Sequence, residues 1–354
     1  MSKLRVAVLF GGMSSEHSVS LGSATSIISN LDDSLYDVLP IGITPQGGWL
    51  LEGNPLCLLK NPGQPHTETP VSAGDAINWL ARNQVDIVFP VLHGPNGEDG
   101  VLQGLLEAAC LPYVGSGVLG SAVAMDKVAM KSILSSHGLP ITNHRLLLRS
   151  KWQTDPGLLL SMIEAEMSFP LYVKPANLGS SIGVSKVDDS SCLSTAIDLA
   201  CTYDRRIIVE SGVIAAREIE CAVIGNDTPQ ASVPGEVFPP TGFYDYQSKY
   251  EGAGAKTQIP AKIPQTTARR IQSLAIEAFK ALDCAGLARV DFLISEQTGD
   301  IYLLEANTMP GFTTTSMFPE LWSASGMPIS ELLSTLIQFG VERNLENASI
   351  RNYS

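Results

Sequence analysis

A chain of 354 residues exceeds one ordinary hydrophobic core, so two or three domains are expected, and 44% hydrophobic against 17% charged residues supplies the material of a globular protein. A formal net charge of -13 argues against broad affinity for nucleic acid or anionic membrane, which needs a basic surface; a single nucleotide held by local lysines stays open. The cysteines Cys57, Cys110, Cys192, Cys201, Cys221 and Cys284 show neither a CxxC pair nor metal-ligand spacing, and no apolar run has the length of a signal-peptide core or a membrane span, so buried reduced thiols and a cytoplasmic location are expected.

Residues 4–10 form a short apolar, β-leaning run closed by Gly11-Gly12, and Leu21, Ala24, Ile27, Ile28 and Leu31 follow at helical spacing: strand, glycine turn, helix. The turn matches neither GxGxxG nor a Walker A loop, so a dinucleotide site is poorly supported. Glu16 stands just before the helix, where an acidic side chain serves equally as a cap or as a ligand-binding group. Residues 36–43 and 85–92 read as further buried strands, with the Gly-, Pro- and Asn-rich stretch 47–71 as a surface excursion between them. His93 then opens the run His93-Gly94-Pro95-Asn96-Gly97-Glu98-Asp99-Gly100. Ligands of open α/β sheets bind at the carboxyl ends of strands, although an isolated histidine is more often structural.

A second domain is expected to open near Met125-Asp126-Lys127, with a helix to about residue 137. Residues 169–174 read as a strand ending in Lys174, followed by Pro175-Ala176-Asn177-Leu178-Gly179-Ser180-Ser181-Ile182-Gly183-Val184. Small residues between glycines suit a loop whose N–H groups and hydroxyls wrap phosphates, and the stretch is longer than a hairpin turn needs. Residues 207–210 form the next strand, ending in Glu210, at a crossing of the kind that holds adenine. A third domain begins with the strand of Glu218-Ile219-Glu220, and the tyrosine-rich stretch 242–250 reads as a lid or binding loop. An amphipathic helix is expected over 266–282, a closing helix within 321–341 and a loosely ordered tail from 342.

The most informative stretch is 287–316. Two β-rich runs, 288–294 and 301–306, flank a turn containing Gln297, Thr298 and Gly299. Alternation puts Arg289 and Asp291 on one face with Val290, Phe292 and Ile294 on the other, and sets Glu305 and Asn307 against Tyr302, Leu304 and Ala306. A hairpin centred on Thr298 places Asp291 opposite Glu305 and Arg289 opposite Asn307. Facing carboxylates destabilise a sheet unless a cation lies between them. Two carboxylates and an amide oxygen suit Mg²⁺ or Mn²⁺, and Arg289 beside them suits a transferring phosphoryl group. A merely solvated polar face is the ordinary alternative; the following Pro310-Gly311-Phe312 and Thr/Ser-rich loop favour the metal.

Taken together, Gly11-Gly12 with Ser15-Glu16-His17, His93-Gly94 with Gly97-Glu98-Asp99-Gly100, Met125-Asp126-Lys127, Lys174-Pro175 with Gly179-Ser180-Ser181, Glu218-Ile219-Glu220, Phe243-Tyr244-Asp245-Tyr246 with Lys249-Tyr250, Ala288-Arg289-Val290-Asp291 and Glu305-Ala306-Asn307-Thr308 with Pro310-Gly311-Phe312 extend over almost the whole chain in one order. This set resembles the D-alanine:D-alanine ligases of the ATP-grasp superfamily. The resemblance implies an α/β protein with α+β elements in a three-domain ATP-grasp fold: an N-terminal open α/β substrate-binding domain (1–124), a central ATP-grasp domain (125–215) and a C-terminal ATP-grasp domain with the hairpin and lid (216–354). It implies that ATP phosphorylates the carboxylate of one D-alanine and that the amine of a second attacks the acylphosphate, in peptidoglycan precursor synthesis; a ligase with another acceptor, such as D-serine, is the alternative.

By the same resemblance Asp291, Glu305 and Asn307 hold two Mg²⁺ (or Mn²⁺), Lys127, Lys174, Ser181 and Lys249 grip the triphosphate, and Glu210 and Glu218 meet adenine and ribose. Glu16 binds the ammonium of the first D-alanine within a network of Glu16, Ser180 and Tyr250, His93 sits near its carboxylate, and Ser316 with Lys249 holds the second substrate's. Arg289 and the Gly311 N–H stabilise the tetrahedral oxyanion. A cytoplasmic homodimer without nucleic-acid or membrane partners is implied.

Overall fold

The computed structural model describes residues 3–61, 68–238 and 256–350. The strands β1 (Leu4–Gly11), β2 (Tyr36–Ile43), β3 (Trp49–Leu50) and β4 (Ile87–Val91) make a first sheet of order β3-β2-β1-β4, with β1 parallel to β2 and to β4. Parallel strands covered on both faces read as unbroken apolar runs, and β1 shows why. Its Val6, Val8 and Phe10 pack with Leu21, Ala24 and Ile27 of the helix His17–Asn30 and with Leu332, Leu336 and Ile337 of the helix Ile329–Ile350. Its Ala7 and Leu9 pack on the other face with Ala76, Leu80, Leu102 and Leu106.

The second sheet contains β5 (His144–Leu148), β6 (Leu171–Pro175), β7 (Ser185–Val187) and β8 (Arg206–Ser211) in the order β5-β8-β6-β7, antiparallel throughout. Leu171, Val173, Ile207 and Val209 face the helix Leu193–Tyr203, burying its Leu193 and Ile197. Alternation therefore turns Tyr172, Lys174 and Glu210 to the opposite face.

The third sheet is built from β9 (Ala216–Gly225), β10 (Gln230–Ala231), β11 (Gly235–Phe238), β12 (Lys256–Gln258), β13 (Gly286–Ser295) and β14 (Ile301–Asn307), in the order β12-β11-β9-β13-β14 with β10 on β9. The helix Gln265–Ala281 covers one face through Ile271, Leu274, Ala278 and Phe279. Met130 and Leu134 of the helix Lys127–Ser136 join the same core, while its N-cap Asp126 pairs with Arg206 of β8, so this helix ties the second sheet to the third.

Three expectations need correction. Residues 342–350 are not a loose tail: they continue the helix Ile329–Ile350, which follows a separate helix, Met317–Ala324. Within 47–71, Trp49 and Leu50 pair with β2 and are buried in the first core, because two apolar residues at the sheet edge gain more by burial than by exposure. All six cysteines are free, but Cys57, Cys110 and Cys192 are exposed, each at a helix or turn position outside the packed cores. No helix among the described residues is long and apolar enough to cross a membrane.

Candidate active site

The β13–β14 register pairs Asp291 with Glu305 and Arg289 with Asn307 as expected, although the pairs nearest the turn, such as Ile294 with Ile301, centre between Gln297 and Thr298 and an irregularity between Asp291 and Phe292 makes up the difference. Along its other edge β13 pairs with β9, which brings Glu220 opposite Asp291. Glu220, Asp291 and Glu305 thus form a row across three adjacent strands. Arg289 runs along it: Nε and Nη2 donate to Asp291 Oδ1 and Oδ2 at 2.7 Å each, and Nε lies 2.9 Å from Glu220 Oε2. Asn307 Nδ2 donates to Asp291 Oδ2 at 3.1 Å, and Lys127 Nζ stands 3.8 Å from Glu305 Oε2. Glu220 and Asp291 are only 5% and 8% exposed. Three carboxylates against two cations leave a negative cluster of hard oxygen donors, which is what a divalent cation requires. Among the described residues no three His, Cys, Asp or Glu side chains converge as a ready-made metal site; the donor set expected from the sequence counts an amide oxygen as its third member.

Strict alternation fails at Leu304. A bulge between Asp291 and Phe292 shifts the register so that Phe292 faces Leu303, and Leu303 and Ala306 enter the core with no and 5% exposure. Leu304, expected on the core face, instead stands on the charged face and lines two cavities there. One extra residue in a strand reverses its side chains without any change in composition.

The larger cavity, about 710 Å³, opens between the second and third sheets. Tyr172, Val237, Phe238, Leu293 and Leu304 give it apolar walls, with Lys174, Glu210 and Glu218 around them. A narrower space continues past Lys127, Lys174, Gly179, Ser180 and Ser181 to Asp291 and Glu305. Glu210 is 2% exposed and takes Lys174 Nζ at 2.5 Å on Oε2 and Lys131 Nζ at 2.9 Å on Oε1. Burial works to raise the Glu210 pKa, but the two lysines hold it far below the usual carboxylate range. Burial likewise opposes the charge of Lys174, yet Glu210 carries its pKa above the ordinary value. Lys127 Nζ donates to the Leu178 carbonyl at 2.8 Å, anchoring the small-residue loop in which Ser180 and Ser181 adopt left-handed backbone (φ 52 and 56).

Glu16 takes the N-cap position of its helix but makes no capping hydrogen bond; its carboxylate instead accepts from the Ser180 hydroxyl. Gly94 and Gly179 lie against that carboxylate so closely that a Cβ would stand 2.7 and 3.1 Å from Oε2. His93 is 5% exposed and both ring nitrogens are engaged. Nδ1–H donates to the Met309 carbonyl at 2.9 Å, and Nε2 pairs with the Ser23 hydroxyl at 3.1 Å, which accepts from the Phe312 N–H. Burial lowers the His93 pKa, and the ring brackets the end of β4 to the segment after β14. Phe312, fully buried, meets Phe89 edge-on at 6.0 Å and Phe318 at 5.4 Å, which fixes the loop carrying Gly311 and Ser316. A Cβ on Gly311 would lie 2.8 Å from Ser316 Oγ, which pairs with the Thr313 N–H and hydroxyl.

The structure therefore gathers Lys127, Lys174, Ser180, Ser181, Glu218, Asp291 and Glu305 around one space, with Glu16 beside it, and Glu210 at its apolar end. Lys249, Tyr250 and the expected lid lie outside the described residues. Sequence reasoning gave no role to Glu220, Lys131, Ser23 or Leu304. The alternation of Glu218 and Glu220 on one strand face was a usable signal for the first; the others depend on long-range packing or on the bulge.

Family models described as the D-ala D-ala ligase N-terminus and C-terminus match residues 5–116 and 133–338. A D-alanine–D-alanine ligase of Natranaerobius thermophilus is 46% identical over 98% of this chain and 97% of its own length, and one of Geobacillus thermodenitrificans is 45% identical over 98% of each. Among solved structures, the D-alanine-D-alanine ligase of Coxiella burnetii superposes with a TM-score of 0.82 at 34% identity, over 99% of this chain and 97% of that one. A D-Ala:D-Ser ligase of Enterococcus faecalis gives 0.85 at 35%, over 96% and 100%.

Proposed function

The chain belongs to the D-alanine–D-alanine ligase family, and on that premise we propose that it joins two D-alanine molecules, ATP activating the first carboxylate as an acylphosphate that the amine of the second attacks. ADP and phosphate leave, and the dipeptide serves peptidoglycan precursor synthesis. One cleft carries this conclusion: an apolar cavity that suits a base grades through Lys174 and Lys127 into the carboxylates Asp291 and Glu305, beneath a loop of small residues. D-alanine rather than D-serine is the acceptor in this reading, since the relatives at 45% and 46% identity bear that name.

In this proposal the chain divides at 125 and 216 into three domains. Lys127, Lys174, Ser181 and Lys249 bind the triphosphate, and Glu210 and Glu218 the adenosine. Glu16 binds the first substrate's ammonium within a network of Glu16, Ser180 and Tyr250, His93 flanks its carboxylate, and Ser316 with Lys249 receives the second substrate's carboxylate. Arg289, hydrogen-bonded to Asp291 and ion-paired with Glu220, is placed to neutralise charge growing on the transferred group and, with the Gly311 N–H, on the tetrahedral oxyanion. Asp291, Glu305 and Asn307 would hold the Mg²⁺ or Mn²⁺ ions, whose contribution when bound is to offset phosphate charge. Acylphosphates hydrolyse, so the stretch 242–255 acts as the lid that excludes water. A cytoplasmic homodimer completes the proposal.

Phosphate release from ATP and Mg²⁺, compared across D-alanine, L-alanine, D-serine and D-lactate with the product weighed by mass spectrometry, tests it. Release with D-alanine and a D-alanyl-D-alanine product is expected; nucleotide binding without turnover on any of the four would overturn it.

A further inference from the structure

We propose that Lys131 is a positioning residue for nucleotide phosphates: by holding one oxygen of Glu210, it leaves Lys174 able to turn from the other oxygen toward the phosphates. The inference rests on the cleft being the nucleotide site.

Lys131 follows Lys127 by one turn of the helix Lys127–Ser136, so the two side chains leave the same face. They end in different surroundings. Lys127 reaches the open space beside Glu305, whereas Lys131 has no exposure at all. Its Nζ lies 2.9 Å from Glu210 Oε1 and donates to Thr142 Oγ1 at 3.2 Å. Burying an ammonium this fully is costly, and an apolar side chain of similar volume commonly stabilises a core as well or better. Burial accordingly depresses the Lys131 pKa, with Glu210 opposing. Packing alone thus gives no reason for a lysine here.

The arrangement around Glu210 gives one. Its second oxygen holds Lys174, which lines both the apolar cavity and the phosphate space. Were Lys174 the sole partner, drawing it toward an incoming phosphate would strand a carboxylate that is 2% exposed, a penalty that falls directly on nucleotide affinity. With Lys131 in place, Glu210 stays paired whichever way Lys174 points. Thr142 contributes by keeping the Lys131 ammonium aimed at Oε1.

The test uses the full-length protein with ADP and adenosine as competitors of ATP in the ligase assay. For the wild type, inhibition by ADP is the control for the cleft itself; its absence sinks the nucleotide reading and is separate from the fate of Lys131. Lys131→Met, which keeps the volume and removes the charge, should weaken ADP and raise KM for ATP about tenfold or more, the worth of keeping a buried carboxylate paired, and leave adenosine and KM for D-alanine within about twofold. A merely structural role would move adenosine with ADP, or move neither, and either result overturns the proposal. Should Lys131→Met not fold, Thr142→Val removes one partner of Lys131 while every charge remains. It should weaken ADP about two- to threefold, less than the loss of the charge because Thr142 acts only through the aim of Lys131, with adenosine unchanged; unchanged ADP inhibition overturns the proposal equally.

Discussion

Ser180, on the loop after β6, donates its hydroxyl hydrogen to the Glu16 carboxylate at the head of the first helix, so the second sheet's loop is tied to the first sheet's ligand-facing end. A hydrogen bond to a charged group contributes about 1.5–3 kcal/mol, or roughly ten- to a hundredfold in an equilibrium. Ser180→Ala should therefore lower kcat/KM for D-alanine by about that factor while KM for ATP changes far less, because Lys127 and Lys174 remain. Steady-state kinetics with each substrate varied in turn decide it; parallel losses for both substrates would show that Ser180 only supports the loop.

The row Glu220, Asp291, Glu305 makes a second expectation. Glu305 is the least tied to Arg289, so Glu305→Ala removes an oxygen donor without leaving that guanidinium unpaired. Turnover should fall about a hundred- to a thousandfold, the scale on which a preorganised electrostatic contact acts. The far-ultraviolet circular dichroism and unfolding midpoint should stay near the wild type's. Near-normal turnover would remove Glu305 from the proposed cation site.

Much of this site could be read before the fold was known, and the reasons differ residue by residue. The facing of Asp291 and Glu305 was expected from a short turn and a period of two, but in the fold it also needs the bulge, since the pairs nearest the turn run one residue out of that register. Leu304 escaped because a bulge carries no compositional mark and breaks the alternation between Leu303 and Ala306. Lys131 looked like any helix-surface lysine; its burial depends on Glu210 and Thr142, brought in by β8 and the segment before β5. The pairing of Glu16 with Ser180, 164 positions apart, came from resemblance, since no periodicity links such distant residues. At the two positions the sequence left open, Glu16 makes no side-chain capping bond, and His93 hydrogen-bonds the Ser23 hydroxyl and the Met309 carbonyl.

Glu98 supplies a pH dependence. It is buried beside Glu16, and burial first, then that neighbouring charge, pushes its carboxyl up to about 8, while the Gly94 N–H donating at 2.8 Å opposes the shift. A carboxyl whose folded pKa exceeds its unfolded value binds its proton more tightly when folded. Its contribution is complete below the unfolded value near 4.5 and is lost as pH rises through about 8. Glu98→Gln keeps an oxygen for Gly94 and cannot ionise. In nucleotide- and cation-free protein, the variant's Tm should match the wild type's near pH 5 and exceed it by several degrees near pH 9, corresponding to about 1–3 kcal/mol. A Tm difference that does not grow with pH would show that Glu98 ionises freely in the fold.

Leu304 separates the wall of the cleft from the core beneath it. The bulge leaves its side chain half-buried and lining both cavities, whereas Leu303, its neighbour, is fully buried against Phe292, Ile294 and the helix Gln265–Ala281. Leu303→Ala should cost about 2–5 kcal/mol of unfolding free energy, the usual cost of emptying a packed leucine site. Leu304→Ala should cost under about 1.5 kcal/mol, because a partly exposed side chain removes little area from water on folding. Its effect should appear in nucleotide affinity instead: losing an apolar wall against a flat base is worth about 1–2 kcal/mol, or roughly five- to thirtyfold in KM for ATP. KM for D-alanine, read in the same assays, should stay within about twofold, since neither cavity that Leu304 lines includes Glu16 or His93. Urea unfolding and ATP titration of the two variants form a crossed comparison. If Leu304→Ala proved the more destabilising of the pair, strict alternation would hold after all and the bulge would be absent from the protein in solution.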